Sequence, residues 1–164
     1  MSFQRHRIAG QAYPQRYVSS EPAASYLATD TNKFGRFGQF SREILQQADR
    51  DINFARFDND GPDGAPNSGD DDGIVDVVFI VTASVPTNFL FQGATGIADL
   101  GLGEDFISAD IGVSGAAIRI ATDQGVIQQG RTYTETVGVM CHEYGHILGL
   151  PDLFNTDFLQ QENA

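Results

Sequence analysis

The sequence predicts a mixed α/β domain of the α+β kind, a small twisted sheet with helices packed on it. Three stretches carry that expectation. Residues 41–51 repeat apolar side chains with a helical period, residues 74–82 read as a strand, and residues 133–148 form a second helix signalled at both ends. The 164 residues amount to a single domain, long enough to bury a core. A hydrophobic content of 41% excludes a disordered tail.

Residues 1–40 read as irregular or extended up to the first helix, punctuated by Tyr13-Pro14, Glu21-Pro22 and Gly35. In the first helix Ile44, Leu45, Ala48 and Ile52 share a face, Ser41 is expected to cap the start, and Glu43 falls in the first turn. Residues 58–73 are a loop of Gly, Asp, Pro and Asn. The run Ile74 to Val81 is rich in β-branched residues and broken only by Asp76, the pattern of a strand buried on both faces. Residues 84–115 are Gly-rich and carry no assignable element. Ala116 to Ala121 reads as a second strand, placed at a sheet edge because Arg119 interrupts it. In the last helix Thr132-Tyr133-Thr134-Glu135 matches a capping box. Gly149 stands where a helix end wants a left-handed residue, and Pro151 prevents continuation.

The formal charge of −12 argues against nucleic acid or an anionic membrane as a partner. The acid is 16 Asp against 6 Glu. Asp favours turns and metal loops where Glu favours helices, so the excess points to oxygen ligands for a hard cation. Cys141 is the single cysteine, which excludes an intrachain disulfide. It is expected to pack in the core, and so is Tyr144. No apolar run reaches the ~18 residues of a membrane span. Met1 to Arg7 is polar and basic with no apolar segment after it, so no signal peptide is visible. His6 is read as a surface residue.

The chemistry concentrates in Cys141-His142-Glu143-Tyr144-Gly145-His146, an H-E-x-x-H pattern. Residues four apart on a helix lie one above the other, so His142 and His146 can offer two imidazole nitrogens to one zinc ion. Glu143 points to the adjacent side, where it can reach a metal-bound water without being a ligand. A catalytic zinc needs a third protein ligand and an open fourth position. Gly149 can turn the chain back so that Asp152 brings a carboxylate to the same ion, completing H-E-x-x-H-x-x-G-x-x-D. A helix-ending glycine at this offset is the metzincin arrangement, with Asp here in place of the more common His.

A second cluster precedes it. Removing the ten residues Pro62 to Asp71 leaves D-N-D-G-D-G-I-V-D. Asp58, Asp60, Asp72, the Ile74 carbonyl and Asp76 then fall at offsets one, three, five, seven and nine of an EF-hand-type calcium loop, with Gly73 at six. Phe79 stands at twelve, where the bidentate Glu is absent; Asp63, Asp70 and Asp71 are available as substitutes.

His142 to Phe154, HEYGHILGLPDLF, resembles the zinc signature of immune inhibitor A-type metallopeptidases, with Phe154 where Tyr is more usual. Phe57 to Val81 resembles their second hallmark, an Asp-rich loop leading into a hydrophobic strand. The resemblance covers about residues 40–155. It implies a zincin-like fold and a secreted endopeptidase of protein or peptide substrates, made with a leader and propeptide, that binds Zn2+ and commonly Ca2+. It implies His142, His146 and Asp152 as zinc ligands and Glu143 as the catalytic residue. It also implies a C-terminal subdomain with a methionine turn. Met1 and Met140 both precede the end of the ligand helix, so the sequence reads as a truncated catalytic domain. Two other readings stay open: a calcium- or zinc-binding module without catalysis, and a zinc hydrolase of non-peptide amides.

Overall fold

The computed structural model describes residues 10–29, 31–32, 35–86, 88–90, 93–130 and 132–152. His6 and Phe154 lie outside them. Two helices, α1 (Phe37–Ala48) and α2 (Tyr133–Ile147), accompany five strands: β1 (Phe79–Thr82), β2 (Gly96–Ile97), β3 (Phe106–Ile111), β4 (Ala117–Ile120) and β5 (Gly125–Gln128).

α1 is amphipathic in the expected sense. Phe37, Phe40, Ser41, Ile44, Leu45 and Ala48 are its buried residues, spaced three and four apart along one stripe. It begins four residues before the expected start, and Ser41 does not cap it. Ser41 lies one turn inside, fully buried, and its hydroxyl donates to the Phe37 carbonyl at 3.2 Å. A serine can satisfy itself in this way within a helix, which makes it an ambiguous start signal. Ile52 reaches the core from the turn beyond the helix end. On the outer side, Glu43 accepts hydrogen bonds from the Tyr26 hydroxyl at 2.7 Å and from the Ser20 amide and hydroxyl at 3.0 and 2.8 Å. The Tyr26 hydroxyl first, against a desolvation cost, holds its carboxyl down at about 2. The extended N-terminal segment is thereby tied to α1.

The expected long strand is shorter. Only residues 79–82 are strand; Ile74 makes a single parallel bridge with Arg119, and the chain bends at Asp76. The double-sided burial is corrected too, because Val81 is 50% exposed. The cause is position: the sheet order is β1-β5-β2, so β1 is an edge, parallel to β5, while β2 is antiparallel to β5 on the other side. β3 and β4 pair antiparallel in a separate two-stranded sheet with an irregularity between Ile107 and Ile111. The Gly-rich stretch without assignable elements thus holds β2 and β3. Arg119 in β4 is not at the open edge expected, because it pairs with Ile107 of β3 on one side and Ile74 on the other; its guanidinium pairs with Asp105 at 3.1 Å.

The core joins α1 to the strands, with Tyr26, Phe40 and Phe89 packed edge to face. α2 lies against β5 and β2. Its capping box forms as read: the Thr132 hydroxyl accepts from the Glu135 amide, and the Glu135 carboxylate accepts from the Thr132 amide, both at 3.2 Å. Such a cap contributes about 1 kcal/mol. No helix among the described residues is long and apolar enough to cross a membrane.

Candidate metal centre

The C-terminal end of α2 builds the site. Ile147 is the last helical residue and Leu148 the C-cap, Gly149 follows with φ +82°, the Leu150 amide donates to the Gly145 carbonyl at 2.9 Å, and the Gly149 amide donates to that of His146 at 2.8 Å. This crossed pair is a Schellman termination, and its left-handed residue is the reason for glycine at 149. The turn does more than end the helix. It brings the Leu150 carbonyl to 2.8 Å from His146 Nδ1. A carbonyl only accepts, so Nδ1 carries the proton, and His146 Nε2 is left with its lone pair facing away from the turn.

At that lone pair three atoms converge. His142 Nε2 and His146 Nε2 are 3.2 Å apart, and Asp152 Oδ1 lies 3.3 Å from each. Ligands held tetrahedrally at ~2.0–2.1 Å from one ion are separated by about 3.3–3.4 Å, so the triangle has the dimensions of three corners of a zinc site. Asp152 Oδ1 is buried and accepts no hydrogen bond, an orphan that a cation would satisfy. His142 keeps 46% of its side chain exposed, which leaves solvent access on that side. The residues present fit the metal.

Glu143 lies beside the triangle and is 5% exposed, the buried residue of a helix otherwise exposed or half-buried. Burial pushes its carboxyl above the usual Glu range; His142 and His146 oppose this, Asp152 adds to it, and a hydrogen bond from the Ala98 backbone opposes it slightly. Cys141 is exposed, correcting the expectation that it packs in the core: one residue from His142, it is turned ~100° around the helix and away from the sheet. Tyr144 is half-buried.

The aspartate loop forms a second cluster with a changed membership. Oxygens of Asp58, Asp60 and Asp71 lie within 4.8 Å of one another. Asp72 is not among them. Its carboxylate accepts the Ile74 amide at 2.8 Å in a local turn, while Asp76 accepts the Asn59 amide at 3.0 Å. Ile74 stands in the bridge to Arg119, whose hydrogen bonds are made by the Gly73 carbonyl and the Val75 amide and not by the Ile74 carbonyl. Asp71 belongs to the ten-residue insertion, which folds back so that its carboxylate accepts the Gly61 and Ser68 amides at 2.9 and 2.7 Å. Asp58 is 1% exposed, and its Oδ1 has no partner. Burial and then Asp71 raise its carboxyl above the usual range, against the hydrogen bond from the Gly73 amide.

Three contributors had no sequence signal of their own. Gly96 and Ala98, which face Glu143, lie in the Gly-rich stretch. The Leu150 carbonyl is deducible only once Gly149 is recognised as the turning residue.

No curated protein matches the chain in sequence. The family model of the immune inhibitor A peptidase M6 catalytic domain matches residues 2–164, nearly the whole length. This α+β chain, with an H-E-x-x-H helix closing on an aspartate, belongs to the immune inhibitor A peptidase family M6.

Proposed function

We propose that this chain is a zinc-dependent endopeptidase in which His142, His146 and Asp152 hold the metal and Glu143 is the general base. The triangle of 3.2, 3.3 and 3.3 Å, with the orphaned Asp152 oxygen at one corner, is the observation that carries the reading. Zinc, when bound, supplies a Lewis acid that polarises the scissile carbonyl and acidifies water. The chain's own residues do the rest. His146 presents its lone pair because the Leu150 carbonyl holds the other ring proton. Glu143, poorly hydrated and with a raised proton affinity, takes a proton from the attacking water and returns it to the leaving amine. Membership of a peptidase family favours protein or peptide substrates over other amides. In this reading the protein works outside the cell, as the family resemblance implies, and the −12 charge argues against nucleic acid and anionic membranes as partners. The test is casein digestion: hydrolysis that a chelator abolishes and added zinc restores supports the proposal. A zinc-loaded protein that cleaves nothing would leave the metal-binding module as the better reading.

The buried, unpartnered Asp58 oxygen favours a second, structural cation in the aspartate loop. Calcium takes oxygens at 2.3–2.6 Å, so ligands on opposite sides of it stand up to about 5 Å apart, and three carboxylate oxygens all within 4.8 Å of one another can share one such ion. In this reading Asp71 replaces Asp72 as the third carboxylate. Calcium at a hundredfold excess over Kd stabilises by about 2.7 kcal/mol, a rise in Tm of roughly 5–10 °C for a chain this size. Asp71→Asn should remove most of that rise and Asp72→Asn should keep it, as followed by thermal unfolding with and without Ca2+. The opposite ranking would restore the uninterrupted loop pattern.

A further inference from the structure

Glu143 is buried against β2 rather than against its own helix. A Cβ built on Gly96 would stand 2.6 Å from Glu143 Oε1, 2.7 Å from Glu143 Cγ and 2.6 Å from Val139 Cγ1. Gly96 does not have a left-handed backbone, so glycine is required there for space and not for conformation. Two residues on, the Ala98 backbone lies close enough to the same carboxylate to favour its charged form slightly. β2 itself is fixed: Gly96 and Ile97 pair with Ile127 and Val126 of β5, both fully buried. One short strand therefore makes room for the carboxylate and brings a backbone N–H near it.

We infer that residues 96–98 are a positioning element for Glu143, in which the missing side chain at Gly96 and the Ala98 N–H together set where the carboxylate stands. Its kinetic consequence rests on the peptidase reading; its geometric content does not. A methyl group at 96 meets Val139 Cγ1 and the Glu143 side chain from Cγ to Oε1, so Glu143 must swing aside and Val139 must give way. The carboxylate then leaves the Ala98 amide and the place from which it serves the water. Misplacement by about 1 Å is enough to cost about 100-fold in rate.

The experiment compares zinc-loaded wild type with Gly96→Ala, Glu143→Ala and the double variant Gly96→Ala/Val139→Ala, reading peptide hydrolysis, zinc content and the Ala98 amide resonance by NMR. Gly96→Ala should lower kcat by about 100-fold with KM and zinc content unchanged. Its Ala98 amide proton should move upfield, in the direction Glu143→Ala moves it, because both take the nearby carboxylate away from that N–H. Full recovery of kcat in the double variant would place the effect on crowding of Val139 and overturn the inference. An Ala98 resonance at its wild-type position in Gly96→Ala would overturn it as well. If wild type cleaves nothing, the peptidase reading fails while the amide resonance still decides the positioning claim. If Gly96→Ala does not fold, Glu143→Ala decides alone, and an unmoved Ala98 amide there refutes it.

Discussion

Replacing Glu143 with Gln should lower kcat by about 1,000-fold, within the range for loss of a general base, while zinc stays bound. That factor corresponds to about 4 kcal/mol of transition-state stabilisation. Gln has the shape of Glu, so it fits the space that Gly96 leaves. What it cannot do is accept a proton. Glu143 is not a corner of the triangle formed by His142, His146 and Asp152, so the metal should be retained at one ion per chain. Stability should hold or rise, because the substitution removes a carboxylate whose burial is its largest electrostatic penalty. Steady-state kinetics with metal analysis of the same sample makes the check. Residual hydrolysis near the wild-type rate, with zinc in place, would assign the base to another group.

The two clusters were legible in the sequence to different degrees, for a physical reason. His142, His146 and Glu143 lie on one regular helix, and a helix converts spacing into direction without further information. Asp152 was reachable because Gly149 and Pro151 advertise the turn, and the left-handed Gly149 delivers it to within 3.3 Å of both rings. The aspartate loop has no such ruler. Excising the insertion as inert made Asp72 the next carboxylate in line, whereas the insertion folds back through the Gly61 and Ser68 amides and presents Asp71. Loop closure depends on hydrogen bonds that spacing does not encode. The strand from Ile74 failed similarly: hydrophobicity reported burial at Val75 and Ile80, but not that the ladder breaks at Asp76 or that an edge leaves Val81 half exposed. β2, two residues long, is too short for any periodicity, yet it is the strand that faces Glu143.

Asp152→Ala should weaken zinc binding by more than about 100-fold, since changing even an outer partner of a metal ligand costs 10–100-fold. The variant leaves two imidazole nitrogens 3.2 Å apart on consecutive turns of α2, a pair too few to hold a catalytic zinc against competition from solvent. Folding should be little affected by the truncation itself. Asp152 lies after the Schellman turn, it is not part of the core, and its Oδ1 makes no hydrogen bond that would be lost. Losing zinc while keeping the fold is the signature that separates a ligand from a turn residue following Pro151. Gly149→Ala provides an independent approach to the same corner. A φ of +82° is strained for any residue with a Cβ, costing about 1–2 kcal/mol, and relief of that strain redirects the chain carrying Asp152. Zinc affinity should therefore fall in Gly149→Ala although no ligand is removed. Competition titration against a chromogenic chelator gives both constants, with circular dichroism to verify the fold. Wild-type affinity in Asp152→Ala would remove the carboxylate from the site and, with it, the geometric basis for reading this triangle as a zinc centre.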